Sequence, residues 1–233
     1  MKKEKIMIAG DFHIPFEDEK TISKLLLDIK KNKPDVLILN GDIVDFYQLS
    51  RFSKNPTRIL SFQQDLDIAK ILLTTIRKYM GNKRIIYIQG NHEFRLISYL
   101  KDNPSLFTLE ALDIVNLLKL NKLNIEYVST DSKNAYITYL GINIGHFDTV
   151  RKYAGMTALG MLVEKSGSYI QGHTHRLGVL FRRTDKGTLV AGESGCMCKL
   201  NPDYSFKPDW QHGYLLIEKT EGEQLQVTPV FLN

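Results

Sequence analysis

The sequence has little cysteine and no long hydrophobic run. Its 233 residues include two cysteines, Cys196 and Cys198, which are too few and too close together for a disulfide framework and fit a reducing compartment. The longest apolar runs, such as 36–39 and 85–88, have the length of a strand, whereas a membrane helix needs roughly 20 apolar residues. Residues 1–5 are charged and lack the apolar segment of a signal peptide. We therefore predict a cytoplasmic protein with no membrane partner.

Charge of one sign is not in large excess either. The chain has 31 lysine and arginine residues against 26 aspartate and glutamate residues, which gives a net charge of +5. This mild basic excess suits a polyanionic partner, but many proteins without a nucleic-acid role are equally basic. A hydrophobic content of 43% and a charged content of 24% are ordinary for a globular protein. No internal repeat, low-complexity tract or linker is visible, so we predict one domain over residues 1–233.

What the chain does have is a concentration of histidine and carboxylate residues in five short clusters, which contain five of its six histidines. The clusters are, in chain order, Asp11-Phe12-His13, Gly41-Asp42, Gly90-Asn91-His92-Glu93, Gly145-His146 and Gly172-His173-Thr174-His175. Oxygen and imidazole ligands in this concentration suit a pair of hard-to-borderline divalent metals. No thiolate belongs to the set, which argues against a closed structural zinc site. Two metals held side by side imply attack on a phosphoryl centre by a metal-bound hydroxide.

Strands and helices alternate in the first half of the sequence. Strands are predicted at 5–10, 35–40 and 84–89, and helices at 21–31 and 61–80. Each of these strands ends where one of the clusters begins. In an open α/β sheet the carboxyl ends of the strands form the crevice that binds ligands, and glycines there let the backbone turn sharply. The clusters are therefore expected to meet at one edge of a sheet.

The second half of the sequence changes character. Short strands are predicted at 125–128, 135–140, 142–146, 169–171, 177–183, 188–191 and 214–219. Between the two halves, the Leu-rich segment 96–124 has helical spacing and is a candidate cap beside the cleft.

The five clusters, in this order, resemble the motifs of the calcineurin-like metallophosphoesterase superfamily, and the match runs from Asp11 to His175. The resemblance implies an α/β fold, a four-layer α/β/β/α sandwich of two mixed sheets with two divalent metals at the strand ends. By motif position, it assigns Asp11, His13 and His175 to one metal and Asn91, His146 and His173 to the other. Asp42 would bridge both metals, because a carboxylate has two accepting oxygens. Manganese is the expected metal, with iron, zinc, cobalt or nickel as alternatives.

The resemblance also implies catalytic roles. His92 matches the catalytic histidine that is not a metal ligand, and it is expected to protonate the leaving oxygen or stabilise the transition state. Asp45 matches the acid that orients this histidine in some branches, although a solvated loop carboxylate is an equal alternative. Asn91, Arg95 and Arg51 are candidates for substrate binding, and for the two arginines a surface salt bridge is the alternative. We interpret Glu93, Cys196 and Cys198 as structural or packing residues. His212 is interpreted as a loop or core residue, with a position lining the cleft as the alternative.

The sequence says less about the substrate. In Ser/Thr protein phosphatases the second cluster continues Asp-Arg-Gly, whereas this chain reads Asp45-Phe46-Tyr47, so the expected phosphate-binding arginine is absent. Segments 46–56 and 195–210 look like the small bacterial and bacteriophage branch, whose substrates are often nucleic acids, nucleotides or small phosphodiesters. That branch implies a location in a bacterium or a phage-infected cell. The nearby aromatic residues Phe12, Phe46, Tyr47 and Phe94 could stack on bases or belong to the core.

Three functional hypotheses follow from these patterns. The first is a phosphodiesterase or nuclease that acts on nucleotides or nucleic acid, the second is a phosphomonoesterase that could act on phosphoproteins, and the third is a metal-poor scaffold. The missing arginine and the mild basicity favour the first over the second. The scaffold is disfavoured because every inferred ligand is present and His92 is intact. The oligomeric state is not predicted.

Overall fold

Eleven β-strands form two mixed sheets in the computed structural model, which describes residues 3–51, 54, 61–185, 187–201 and 208–232. The first sheet contains β1 (Lys3–Ala9), β2 (Val36–Asn40), β3 (Arg84–Ile88), β4 (Glu126–Val128), β10 (Gly213–Thr220) and β11 (Gln226–Phe231), in the order β11-β10-β1-β2-β3-β4. The second contains β5 (Tyr136–Tyr139), β6 (Ile142–Gly145), β7 (Ser168–Gln171), β8 (Leu177–Thr184) and β9 (Gly187–Ser194), in the order β5-β6-β7-β9-β8.

Six α-helices lie among these strands in the described ranges: α1 (Glu19–Asn32), α2 (Phe62–Met80), α3 (Glu93–Asp102), α4 (Pro104–Phe107), α5 (Ile114–Leu117) and α6 (Met156–Lys165). Short 3₁₀ turns occur at Tyr47–Leu49 and Glu110–Leu112. The two long helices begin at side-chain caps that satisfy free backbone N–H groups. Asp18 accepts from the backbone of Thr21, and Ser61 with Gln64 forms a reciprocal capping box.

The hydrophobic residues separate into three clusters that lie between four layers. Alternation along β1 sends Met7 and Ala9 into the core on the side of α1 and α2, whereas Ile6 and Ile8 enter the core between the two sheets. A third and smaller cluster packs α6 against the outer face of the second sheet, through residues such as Met161. The layers are therefore helix, sheet, sheet and helix, and the predicted four-layer α/β fold is confirmed.

The strands that carry the clusters run parallel within each sheet. In the first sheet β1, β2 and β3 pair in parallel, and in the second sheet β6 pairs in parallel with β7. Parallel strands end at the same edge of a sheet. The five polar clusters lie at the ends of these five strands, β1, β2, β3, β6 and β7. The sheet topology thus brings distant parts of the sequence to one place.

The predicted helical segment 96–124 is helical but broken. It begins earlier, as α3 at Glu93, and continues as α4, a 3₁₀ turn and α5. Its buried residues Leu96, Leu100 and Ile114 join the core on the side of α1 and α2. The segment is therefore part of the helical layer, and a role as a cap over the cleft stays a prediction.

Two elements were not predicted from the sequence, α6 and β11. Helix α6 has glycine at its N-cap and no side-chain cap of its own. The buried carboxylate of Glu193, on β9, accepts hydrogen bonds from the backbone N–H groups of Gly155 and Thr157, at 2.8 and 3.1 Å. The start of this helix is thus fixed by a residue far away in the sequence, and no local signal for it exists.

Other predictions are not decided by the fold. Over the described ranges, none of the helices combines the length and apolar character that crossing a bilayer requires. The single domain over residues 1–233 and the cytoplasmic location stay predictions. Segments 46–56 and 195–210, which suggest the bacteriophage branch, fall partly outside the described residues.

Candidate metal centre

The five loops at the strand ends hold their polar residues in an unusual backbone conformation. Five of the seven candidate ligands have positive φ angles: Asp11 (55°), His13 (51°), Asp42 (51°), His173 (68°) and His175 (58°). Residues other than glycine adopt this left-handed region infrequently, because the Cβ atom clashes with the backbone. Such conformations collect where the surrounding structure imposes them, typically at functional sites. The loops are shaped to turn these side chains towards one point.

A buried glutamate fixes the loop that carries Asp42. The Glu93 carboxylate accepts hydrogen bonds from the backbone N–H groups of Asp42 (2.9 Å), Ile43 (2.8 Å) and Val44 (3.2 Å). It also accepts from the Gly90 N–H at 2.8 Å and from the Tyr87 hydroxyl at 2.7 Å. Glu93 is fully buried and thus ties the end of β2 to the end of β3. The structural interpretation of Glu93 agrees with this geometry.

Glycine is needed where these loops approach one another most closely. Gly41 has a φ of +80°, and a Cβ atom there would lie 2.6 Å from Nδ1 of His146. A side chain at Gly90 would clash with the Asp42 carboxylate and with the Asp42 backbone. The two glycines therefore allow the first sheet and the second sheet to meet at the centre.

One half of the centre consists of Asp11, His13 and His175. The Nε2 atoms of the two histidines lie 3.0 Å apart, and Nε2 of His175 lies 3.2 Å from Oδ1 of Asp11. Nδ1 of His13 lies 3.0 Å from Oδ2 of Asp45 and donates to it, so in the neutral imidazole Nε2 presents its lone pair. The lone pairs of this half converge, as the ligands of a cation do.

The other half consists of Asn91, His146 and His173. Nδ1 of His146 donates to the backbone oxygen of Asn40 at 2.9 Å, which leaves Nε2 as an acceptor in the neutral imidazole. That Nε2 atom nevertheless faces the side-chain oxygen of Asn91, also at 2.9 Å. The His146 and His173 rings are in edge contact, with centroids 5.3 Å apart. Here too, atoms with lone pairs face one another.

Asp42 lies between the two halves. Its Oδ2 atom is buried and has no hydrogen-bond partner among the described residues. The Nε2 atoms of His146, His92 and His13 surround it at 3.1, 3.6 and 3.7 Å. Oδ1 instead accepts from the His92 backbone N–H at 2.8 Å. A buried, unpartnered carboxylate oxygen is costly unless a cation or proton compensates it, so the residues present fit divalent metals.

The electrostatics of the centre point the same way. Burial by itself raises the pKa of Asp42, but the positive charges of His146 and His92 outweigh burial and hold the pKa well below the usual range of aspartate. Burial would likewise lower the pKa of His146, yet the charges of Asp42 and Asp11 raise this pKa to about 9. Burial and the neighbouring His146 lower the pKa of His173 to about 4. Protons on imidazoles thus balance the carboxylates, and a divalent cation would displace them.

Asp45 and His92 form a pair at the rim of the centre. Nδ1 of His92 lies 3.1 Å from Oδ2 of Asp45 and 3.0 Å from the Asp45 backbone oxygen. The same Oδ2 atom contacts His13, so Asp45 is a buried partner of two imidazoles rather than a solvated loop carboxylate. Hydrogen bonds from His13 and His92 overcome the effect of burial and keep the pKa of Asp45 below its usual range.

The two candidate arginines occupy different positions. Arg95 donates from Nη1 to the backbone oxygen and Oδ1 of Asp45, at 2.9 and 3.2 Å, and its Nη2 lies 2.9 Å from Nε2 of His92. Arg51 has 81% of its side chain exposed and forms an ion pair with Asp102 at 3.2 Å. Arg95 therefore belongs to the rim of the centre, whereas Arg51 makes the surface salt bridge that was its alternative.

Residues 4–177 match the family model of the calcineurin-like phosphoesterases, which is three quarters of the chain. The chain belongs to the calcineurin-like phosphoesterase family. Members of this family act on phosphoesters and typically bind two divalent metals, and three groups of His, Asp and Cys side chains at this centre have ligand atoms within 4.8 Å of one another. The predicted family is thereby confirmed, whereas the substrate and the metal are not assigned by it.

Several known proteins resemble this chain in sequence or in fold. The chain is 26% identical over 233 aligned residues to the Gene 54 protein of Mycobacterium phage L5, covering 92% of this chain and 88% of that protein. A dimetal phosphatase from Danio rerio shares the fold, with a TM-score of 0.50 at 10% identity over 99% of this chain and 96% of that one. A Vps29 mutant from Entamoeba histolytica aligns with a TM-score of 0.44 at 11% identity, over 98% and 99% of the two chains.

The protein has residues at the centre that the sequence analysis missed, beyond the end of the family match. Sγ of Cys198 lies 3.7 Å from Nδ1 of His175, and the ring of Trp210 packs at 63° on the same imidazole with centroids 4.1 Å apart. By contrast, Phe12 and Phe46 are fully buried in the core beside α1 and α2. For these two residues the core alternative is therefore correct, and stacking on bases is excluded. Packing was the expected role of Cys198, because neither it nor Cys196 lies in one of the five clusters, and the sequence analysis assigned no role to Trp210.

Proposed function

We propose that this chain is a dinuclear-metal phosphodiesterase that acts on nucleotides or nucleic acid. The observation that carries the proposal is the Oδ2 atom of Asp42, which is buried without a hydrogen-bond partner among the described residues and faces the Nε2 atoms of three histidines. An oxygen in this position suits a ligand shared by two cations.

The ligand assignment follows the two halves of the centre. Asp11, His13 and His175 would hold one cation, Asn91, His146 and His173 would hold the other, and Asp42 would be shared. Ligand atoms of Cys198 and His92 also lie within 4.8 Å of those of His13. Carboxylate, amide and imidazole ligands suit manganese, and they also accept iron, zinc, cobalt or nickel. When bound, two such cations supply an activated water and offset the negative charge that develops on the phosphoryl group.

The protein's own residues would handle the proton and the substrate. The Asp45 carboxylate holds Nδ1 of His92, and Nε2 of His92 accepts from Nη2 of Arg95. Once a bound phosphate draws the arginine away, Nε2 would carry the proton for the leaving oxygen. A bound phosphate would attract the guanidinium group of Arg95, which lies 2.9 Å from Nε2 of His92, as a bidentate partner. The side-chain oxygen of Asn91 lies 2.9 Å from Nε2 of His146, and Asn91 would contact both the cation and the phosphate. Arg51 would reach a substrate only after leaving Asp102.

The preference for a diester rests on what the site lacks. Ser/Thr phosphatases place an arginine directly after the acid that corresponds to Asp45, and here Phe46 occupies that position, fully buried in the core. The positively charged arginine of the monoester site is therefore replaced here by an apolar side chain. A diester carries one negative charge fewer than a monoester dianion, so it needs this positive charge less. The net charge of +5 adds weaker support for a polyanionic substrate.

The two other hypotheses remain as outcomes of a test. A phosphomonoesterase would use the same centre, with Arg95 in place of the missing arginine. A metal-poor scaffold is opposed by the convergence of all seven candidate ligands and of His92 at one point. Neither the cytoplasmic location nor an oligomeric state is needed for the proposal.

The test is manganese-dependent hydrolysis of bis(4-nitrophenyl) phosphate and 4-nitrophenyl phosphate by the full chain, with the Asp42→Asn variant as the blank. Faster turnover of the diester, followed by cleavage of single-stranded or duplex DNA or RNA, is the expected result. Faster turnover of the monoester would replace the proposal with a phosphatase. Inactivity on both esters together with no bound metal would replace it with the scaffold.

A further inference from the structure

Each of three histidines at the centre directs Nε2 inward and has a different partner for Nδ1. Nδ1 of His13 lies 3.0 Å from the Asp45 carboxylate, and Nδ1 of His146 lies 2.9 Å from the backbone oxygen of Asn40. Nδ1 of His175 lies 3.7 Å from Sγ of Cys198. A histidine that binds a metal through Nε2 carries its proton on Nδ1, and the acceptor of that proton fixes the orientation of the ring.

We propose that Cys198 is a positioning residue of the metal centre. Its sulfur accepts a hydrogen bond from the Nδ1–H group of His175, and together with Trp210 it fixes the orientation of this imidazole for binding a divalent cation. The inference rests on the metal centre of the proposed function. It assigns a role to a segment that lies beyond residue 177, where the family match ends.

The backbone of Cys198 is held in place from two directions. Nε2 of His212 lies 2.7 Å from the backbone oxygen of Cys198, and Nδ1 of His212 lies 2.9 Å from the hydroxyl of Thr21 on α1. The preceding residue, Met197, donates its N–H to the backbone oxygen of Asp11 at 3.0 Å. A series of hydrogen bonds from Thr21 on α1 through His212 therefore holds the backbone of Cys198 and places its sulfur next to His175. His212 is the sixth histidine of the chain.

Trp210 closes the other side of His175. Its ring packs edge-on against the imidazole, and the next residue, Gln211, donates its N–H to the backbone oxygen of His175 at 2.9 Å. The imidazole thus has a thiol at Nδ1, an indole against its ring and a backbone hydrogen bond at its own carbonyl. These contacts leave Nε2 as the free nitrogen, and it faces Asp11 and His13.

The choice of a thiol has a consequence for the strength of the site. Sulfur is a weaker hydrogen-bond acceptor than the carboxylate behind His13 or the carbonyl behind His146. The hydrogen bond at Nδ1 of His175 is therefore weaker than those of His13 and His146, and cation binding by Asp11, His13 and His175 should respond to the loss of Cys198. Trp210 can report this binding, because it is the single tryptophan of the chain and contacts His175.

The experiment titrates the metal-free full chain with Co²⁺ and follows Trp210 fluorescence together with visible and near-ultraviolet absorption. Cys198→Ala removes the acceptor, and we expect the fluorescence transition to move to about 10-fold higher Co²⁺. Cys198→Ser keeps an acceptor and should retain most of the affinity. The control is Cys196→Ala, which removes a buried thiol that contacts the backbone of Gln211 and the thiol of Cys198 but no imidazole.

Thermal unfolding separates positioning from packing. If Cys198 positions His175, the alanine variant loses part of the stabilisation that Co²⁺ adds, beyond any loss in the metal-free protein. Co²⁺ titrations of Cys198→Ala and Cys196→Ala that both match the wild type would overturn the inference. It would also fail if wild-type protein showed an intense thiolate-to-cobalt absorption band that Cys198→Ser lacks, since Cys198 would then be a direct ligand. Absence of Co²⁺ binding to the wild type would overturn the proposed function as well.

Discussion

Five of the buried carboxylates among the described residues form two groups that respond to burial in opposite ways. Asp11, Asp42 and Asp45 lie among imidazoles at the strand ends, and their pKa values are lowered although burial alone would raise them. Glu93 and Asp65 lie behind them, and burial raises the pKa of both. The sign of the pKa shift is thus decided by the groups that face the carboxylate and not by the depth of burial.

The two groups therefore have different uses. Where carboxylates stay ionised among imidazoles, protons on the imidazoles balance the carboxylate charge in the metal-free protein. A divalent cation that binds there would displace these protons. Glu93 faces backbone N–H groups and a tyrosine hydroxyl, so it shapes a loop without offering an oxygen to a metal. Four substitutions test this division, beginning with the largest expected effect.

Asp42→Asn should have the largest effect, because it removes the charge of the oxygen that both halves of the centre share. We expect turnover to fall to the rate without enzyme and the affinity for both cations to decrease, measured by diester hydrolysis and by metal content after dialysis. The matched control is the same substitution at Asp65, which should leave turnover unchanged. Full activity of the Asp42→Asn protein would show that the imidazole-facing group is not the site of the reaction.

His92→Ala removes an imidazole from the first group without removing a candidate metal ligand. We expect turnover to fall by roughly 10²–10⁴-fold, the range for the loss of a general acid, with the metal content unchanged. The measurements are kcat for a diester and the metal-to-protein ratio of the same preparation. A parallel loss of metal and rate would place His92 among the ligands and would contradict the assignment.

Glu93→Gln tests the second group. The carboxylate accepts five hydrogen bonds, whereas the amide would turn an NH₂ group towards some of the same donors. We expect a loss of about 1–3 kcal/mol in the free energy of unfolding, measured by urea denaturation of the metal-free protein. Tyr87→Phe removes one of the five donors and should cost less. Unchanged stability in both variants would mean that Glu93 does not hold the Asp42 loop.

Much of the fold and the site was predictable because it depends on local signals. The strand ends, the start of α2 at Ser61 and each of the five clusters are each specified by residues only a few positions apart in the sequence. Together with the parallel topology they predict where Asp11, Asp42 and Asn91 meet. The metal and catalytic roles of these residues stay predictions.

What the sequence did not predict depends on contacts between distant residues. The cap of α6 is Glu193, and the partners of His175 are Cys198 and Trp210, each supplied by another loop or strand. The positive φ angles of residues such as His13 are also imposed by the surrounding fold, because Asp and His tolerate the left-handed region better than most residues but do not require it. Residue type alone could not separate Asp45 from Asp65 either, since the difference lies in which side chains face them.

Asp65→Asn should have the smallest effect and should depend on pH. Burial raises the pKa of Asp65 to about 6 in the folded protein, from an ordinary value of 3.8, and Gln48 donates to its Oδ2 atom at 2.7 Å. Because the folded state holds this proton more tightly than the unfolded state, Asp65 lowers stability progressively as pH rises from about 4 to about 6.

Asparagine cannot ionise, so the variant should gain stability relative to the wild type over the same pH range and keep that gain above it. The gain is offset because the amide keeps one acceptor oxygen for Gln48 and loses the favourable interaction of a carboxylate with the first turn of α2. We expect a net gain of about 1 kcal/mol, or about 2–4 °C in Tm, at pH 7.5 and none at pH 4. A variant that is less stable than the wild type at pH 7.5 would show that Asp65 is paired with a cation, and the second group would then contain Glu93 alone.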